Sequence, residues 1–379
     1  MNNSKLNMSN IKSILSNNLS FNNYTLLFTI MLIVACCLLV LLKYRNDTLT
    51  NRIKNILKKM INNDTYPNNI ENFQSGMTLV GFINKTNDLF HNNTYLQSMN
   101  LYNLNARNFK TVGEIINKYK DEAILDVTDD EKLTIDQKIR NNMIIIEKNN
   151  KPYYNYLIDL MKKSKLAKSK LWLENSMPHT HDNVVIINEF LFNDFSMTTF
   201  IHELTHVHQR KKLFEFNDLY EKWGFIYYKR GVHTIKGLER NLALTRNNPD
   251  ANDFNWIWKN NNKYYWISAI FVLQNGDGEK FLNLTNAEYL AYELEIDKNS
   301  NLYYLNKIPI NLSKFKEFTS FFQISNNHYH PNEIAAQYAE YYYEDSLVGR
   351  NNSMSKYYKI PAYELYMNYF NNLYKTYYN

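Results

Sequence analysis

From residue 25 to residue 42 the chain reads TLLFTIMLIVACCLLVLL, 18 positions without a charge, whereas apolar residues elsewhere alternate with polar ones at helical or strand spacing. That stretch reaches the length a helix needs to cross the hydrocarbon core of a bilayer. Lys43, Tyr44 and Arg45 follow directly, where a cleaved signal would show small residues. The pattern predicts a polar tail at 1–24, a single transmembrane helix at 25–42, a basic, Asn-rich linker at 43–75 and one large domain at 76–379. In that domain apolar residues recur at helical spacing over 111–120, 131–148 and 152–168, while 184–187 is a β-branched run typical of a strand. Residues 263–273 and 281–284 read as paired strands around a turn at 275–278, with further helices at 286–297, 312–323, 331–345 and 361–376. The expected class is α+β and mainly helical, with a small sheet.

Composition narrows the partners. The chain is 45% hydrophobic and 15% aromatic, enough apolar material for a sizeable core. Its many Asn, Tyr, Lys and Ile residues have AT-rich codons, so single Asn and Tyr side chains say little about function. Eight of the 43 Lys and Arg but one of the 37 Asp and Glu lie in residues 1–59, so the remaining 35 and 36 leave the large domain nearly neutral. A nucleic-acid partner would require basic residues spread over the fold, and is excluded on that ground. Lys43, Arg45, Arg52, Lys54, Lys58 and Lys59 follow the apolar stretch while Lys5 and Lys12 precede it, which places the large domain on the cytosolic face or inside an envelope derived from it. The same cluster suits anionic membrane lipid, and equally a solvated linker. Both cysteines, Cys36 and Cys37, fall inside the apolar stretch, so the large domain has no disulfide and no Cys-type zinc site.

The segment 196–212, SMTTFIHELTHVHQRKK, carries the chemistry. Ser196 can cap a helix whose last turn bears Arg210, Lys211 and Lys212, cations suited to the negative end of its dipole. His202 and His206, four apart, project from one face and can reach the same ion. Glu203 is next to them, badly placed as a third ligand but well placed to take a proton from metal-activated water and pass it to a leaving amine. Hydrolytic zinc sites keep three protein ligands, and without Cys the third must be His, Asp or Glu. Glu333 leads, in the first turn of a helix opened by Pro331, with Ala335 and Ala336 allowing close packing. Glu288 is the runner-up, with Thr285 as a cap and Ala291 nearby, and Glu340 lies two turns beyond Glu333. His208 points away from the His202 face. His179, His181, His328 and His330 could polarise a carbonyl, but each alone reads as an ordinary loop histidine. Trp256, Trp258 and Trp266 read as core. Nucleophile-elbow, phosphate-loop and dinucleotide-binding glycine motifs are missing.

At these residues the sequence resembles the zincin metallopeptidases, and among them the gluzincin type, in which HExxH is completed by a Glu from a downstream helix. The runs MPHTHDNVVII, FIHELTHVHQR, WGF at 223–225 and HPNEIAA are also similar to uncharacterised membrane-associated zincin-like proteins of large DNA viruses, over roughly residues 170–345. The resemblance implies a zincin-like domain that binds Zn2+ through His202, His206 and Glu333, uses Glu203 as general base and cleaves a peptide or protein substrate; the charge asymmetry would place that domain on the cytosolic or virion-internal side. The 127 residues from His206 to Glu333 exceed the separation common in gluzincins. If 184–187 is the edge strand beside the helix, it would hold an extended peptide by backbone pairing. A structural or adaptor protein keeping the zincin fold without turnover is the alternative, against which the intact His202, Glu203 and His206 weigh.

Overall fold

Two apolar faces on one strand explain the first sheet. In the computed structural model, which describes residues 78–378 apart from 86–88, 91–92, 229–234, 252–254, 274–281, 298, 300, 326–327 and 350–354, β5 (Val184–Asn188) is buried along its whole length. Val185 and Ile187 face one core with Leu166, and Val184 and Ile186 face a second with Ala167. A continuous β-branched run therefore marks a strand covered on both sides. It lies between β3 (Lys165–Ser169), with which it is parallel, and β4 (His179–His181), with which it is antiparallel; β1 (Gly81–Ile83) and β2 (Ile124–Leu125) pair with the other side of β3. The edge beside the histidine helix is β4, and the expectation that 184–187 forms it is corrected.

The second sheet was underestimated. β6 (Phe225–Tyr227), β7 (Trp256–Asn260), β8 (Lys263–Phe271), β9 (Ala287–Ile296) and β10 (Leu302–Tyr304) follow in order, with β11 (Ile310–Asn311) also on β9, all antiparallel. Residues 286–297, expected as a helix, are mostly β9, in register with β8 from Phe271 opposite Ala287 to Tyr264 opposite Leu294. Ala287, Leu290, Ala291 and Leu294 match the helical template, but pairing with an aromatic and β-branched strand decides the outcome, as tertiary context commonly does. The 281–284 partner expected for 263–273 is replaced by β9, and the turn at 275–278 lies outside the described residues. Likewise 152–168 divides into a helix, Lys151–Lys162, and β3.

The class is therefore corrected from mainly helical α+β with a small sheet to a mixed α and β fold with two sheets. No helix of the described residues is long and apolar enough to cross a membrane, so the transmembrane helix and the single-pass cytosolic or virion-internal placement are withdrawn. Residues 25–42 themselves lie outside the described residues.

Helices complete the domain. Asp129–Asn149 opens with a capping box between Thr128 and Glu131 and buries Ile135, Ile139, Met143 and Ile146, one stripe at helical spacing. Met197–Lys211 is capped by Ser196 and buries Phe200, Ile201, Leu204 and Val207 against the main core. Pro331–Leu347 starts with Pro at its first position and packs on that helix with Ala335 and Ala336 fully buried. Pro361–Tyr377 closes the core, and Trp223 donates to the Ala362 carbonyl at 2.9 Å. Trp256 and Trp258 are buried in the main core and Trp266 on the other face of the second sheet.

Candidate metal centre

His202 and His206 stand one turn apart on Met197–Lys211, and Glu333 reaches them from the first turn of Pro331–Leu347. Glu333 Oε2 lies 3.4 Å from His202 Nε2 and 3.6 Å from His206 Nε2. Those spacings are too long for good hydrogen bonds. They suit three atoms each about 2 Å from one tetrahedral ion, which stand roughly 3.3 Å from one another. Two imidazole nitrogens and a carboxylate oxygen are also the donor set that zinc accepts, so the residues present fit the metal.

Partners behind the ligands fix which atoms face the site. His202 Nδ1 is 2.7 Å from Glu340 Oε1, an acceptor, so Nδ1 carries a proton and Nε2 is the atom left to take a metal. Gln209 does the same for His206. Its Nε2 donates to the Asn332 carbonyl at 2.9 Å and to the Tyr220 hydroxyl at 3.0 Å, which leaves Oε1 to accept from His206 Nδ1 at 2.8 Å. Asn248 Nδ2 donates to Glu333 Oε1 at 2.7 Å, turning the other oxygen toward the histidines. Burial would lower His202, but the carboxylates of Glu333 and Glu340 outweigh it and hold the group well above the ordinary histidine value, so a metal ion would bind Nε2 in competition with a proton. Burial would raise Glu333, but His206 and His202 pull it well below the usual carboxylate range.

Glu203 is buried beside the two histidines, and its Oε2 has no hydrogen-bond partner. Burial first and then the Asp250 carboxylate push it up to about 8, with Glu333 adding to them and the two histidines opposing. Glu203, His206 and Asp250 also bring ligand atoms within 4.8 Å of one another. Asp250, however, is engaged elsewhere: it accepts from the Thr180 N–H at 3.1 Å, from the Thr180 hydroxyl and from Arg210 at 2.8 Å. Asp250 therefore clamps the edge strand β4 to the end of the histidine helix.

These groups line a cavity of about 320 Å3, whose far wall includes Arg107, Glu174, His179, Arg246 and Tyr289. Glu174, Asn175 and Ser176, just before β4, all adopt positive φ, an arrangement costly for residues with a Cβ. Arg107 holds Glu174 there by contacts of 2.7, 3.0 and 3.2 Å, Tyr119 donates to the same carboxylate at 2.9 Å, and Asn188 Nδ2 donates to the Ser176 carbonyl at 2.6 Å. His179 Nδ1 donates to the Met177 carbonyl at 2.9 Å, and its buried Nε2 is unpartnered.

Most of the other sequence candidates lie apart from the ligand cluster. Glu288 is an exposed residue of β9 opposite Ile270. His208 is packed away, hydrogen-bonded to Tyr156 at 2.8 Å and to Glu215 at 2.7 Å. His181 sits on β4 facing Phe90 and Tyr95, and His330 caps the Glu333 helix. His328 is near, its ring centroid 6.1 Å from that of His202. Asn248, Asp250, Gln209 and the Arg107–Glu174 pair were missed, since nothing local in their sequence announces a contact made across tens of residues. No protein family, no curated protein and no solved structure matches this chain.

Proposed function

We propose that the protein is a zinc-dependent peptidase that hydrolyses peptide bonds with Glu203 as general base. The observation that carries the reading is the convergence of His202 Nε2, His206 Nε2 and Glu333 Oε2 at ligand spacing beside the unpartnered carboxylate oxygen of Glu203. A zinc ion held by those three side chains would supply Lewis-acid polarisation of the scissile carbonyl and acidify water. Glu203 then accepts the proton from the attacking water and delivers it to the leaving amine, work that needs a carboxylate free of other partners. Glu340 and Gln209 hold the imidazoles in the ligating tautomer throughout. The outer side of β4 is closed, the Thr180 N–H being spent on Asp250 and the Thr180 carbonyl on Arg210, so the strand borders the cavity through His179 alone.

Glu203→Gln keeps the shape and removes the base. It is expected to lower peptide-library cleavage about 100-fold to 10,000-fold while zinc content stays as in the parent. Equal cleavage by the two proteins would remove Glu203 from the reaction. Absence of cleavage by the zinc-loaded parent across a broad library would favour a structural or adaptor role.

A further inference from the structure

Two arginines line the cavity, and they are provided for differently. Arg107 is matched by the Glu174 carboxylate in a fully buried ion pair. Arg246 is 9% exposed, and among the described residues no carboxylate makes an ion pair with it. Its Nη1 donates to the Leu284 carbonyl at 3.1 Å, its guanidinium lies over the Tyr289 ring at 5.6 Å, and its other polar neighbours are the hydroxyls of Tyr289 and Tyr329, neither of which is a counter-ion. Its backbone is fastened by a bond from its N–H to the Ala269 carbonyl at 2.8 Å, so the side chain projects from a fixed point. Beside it stands the buried hydroxyl of Tyr329, whose ring packs on Tyr289 with centroids 5.4 Å apart.

A guanidinium does not shed its proton, so burial cannot be relieved by neutralisation. Leaving such a charge unpaired costs several kcal/mol unless a partner arrives. The guanidinium donors form a planar fork that matches a carboxylate, and the Tyr329 hydroxyl adds a further donor. Glu174, Glu203 and Glu333 line the same cavity, so a dianionic phosphate would meet more repulsion there than a monoanion. At about 320 Å3 the cavity is at the small end of ligand pockets, so a group on Arg246 belongs to the same short stretch of substrate that reaches Glu203.

We infer that Arg246, with Tyr289 and Tyr329, forms a subsite for a carboxylate of the peptide substrate, either its free C-terminus or an Asp or Glu side chain. The inference rests on the peptidase reading for the nature of the ligand, but binding tests it separately from turnover. The probes are three acetylated peptides of one alanine-based sequence: one with a free C-terminus, one amidated, and one amidated with a single Glu. Their affinities for the zinc-loaded Glu203→Gln chain are measured by calorimetry.

At least one carboxylated peptide should bind on the order of 10- to 100-fold more tightly than the neutral amide, as a charge-assisted pair commonly provides. The free-terminus arm winning assigns an exopeptidase-like site, and the Glu arm winning assigns side-chain selectivity. Arg246→Gln should abolish the preference with zinc content unchanged, and Arg246→Lys, which keeps the charge without the fork, should retain part of it. Equal affinity for all three peptides, no binding by any of them, or a preference that survives Arg246→Gln would each overturn the subsite. A carboxylate preference in a protein whose Glu203 form cleaves nothing would leave the subsite standing and remove the peptidase reading.

Discussion

The two walls of the cavity are built in opposite ways. On one side, His202, Glu203 and His206 fall within five consecutive positions of a single helix, and the helical repeat alone sets their relation. On the other, Arg107, Glu174, His179 and Arg246 come from segments separated by up to 139 residues and are held by one buried ion pair and by hydrogen bonds. A locally encoded wall can lose one chemical group and keep its shape. A wall assembled at long range depends on each clamp for its existence, so the same kind of substitution should change stability there and reactivity here.

The largest expected stability effect is at the Arg107–Glu174 clamp. Arg107→Met leaves the Glu174 carboxylate buried without its cation, beside a turn already in positive φ. It should reduce unfolding free energy by about 3–5 kcal/mol, read from denaturant midpoints, whereas Glu203→Gln should leave the midpoint unshifted. If Arg107→Met unfolds at the parental midpoint, the contrast between the walls is lost.

A smaller effect is expected behind the helix ligands. Glu340→Gln replaces the acceptor for His202 Nδ1 with an amide that can also present a donor. Metal affinity should fall roughly 10- to 100-fold, with the circular-dichroism spectrum unchanged. Affinity equal to the parent in a competition with a chelating dye would mean that Glu340 does not orient the ligand.

The smallest effect is a pH dependence behind the far wall. His181 is buried on β4, and burial first, then His179 and Arg210, hold it well below the ordinary histidine value. As pH falls through about 6.5 the unfolded chain takes up a proton that the folded chain refuses, so stability drops by up to ~1.4 kcal/mol per pH unit until the folded group also titrates. Above 6.5 this contribution is fully present. Denaturant titrations at pH 7.5 and 5.5 should show the loss in the parent and less of it in His181→Gln; identical slopes in both would assign the acid sensitivity to other groups.

What the sequence disclosed follows the same division. The HExxH spacing and the Pro331-led helix with its Ala335 and Ala336 were visible because each is a local pattern, and the structure brings their side chains together. The runs at 184–187, 331–345 and 361–376 were legible because both strand and helices bury faces that a short window reveals. β9 was not, because Ala287, Leu290, Ala291 and Leu294 satisfy the helical template and only pairing with β8 excludes it. The 152–168 segment was read as one helix because Leu166 and Ala167 continue its apolar pattern, although they sit in the central strand of the first sheet. Asp250, Asn248 and Arg246 stand in an Asn- and Pro-rich run that reads as a turn, and only the folded chain shows them lining the cavity.

The central claim is that one metal ion is held between two helices by His202, His206 and Glu333. The most direct test is zinc analysis of the purified full-length chain and two variants, Glu333→Ala and Glu288→Ala, after equilibration with zinc and removal of excess. Glu288 is an exposed residue of β9 and its loss should be silent, whereas Glu333 completes a set whose ligand atoms lie within 4.8 Å of one another. One zinc per chain in the parent and in Glu288→Ala, with none retained by Glu333→Ala, is the predicted result. Zinc retained by Glu333→Ala, or lost from Glu288→Ala, would contradict it.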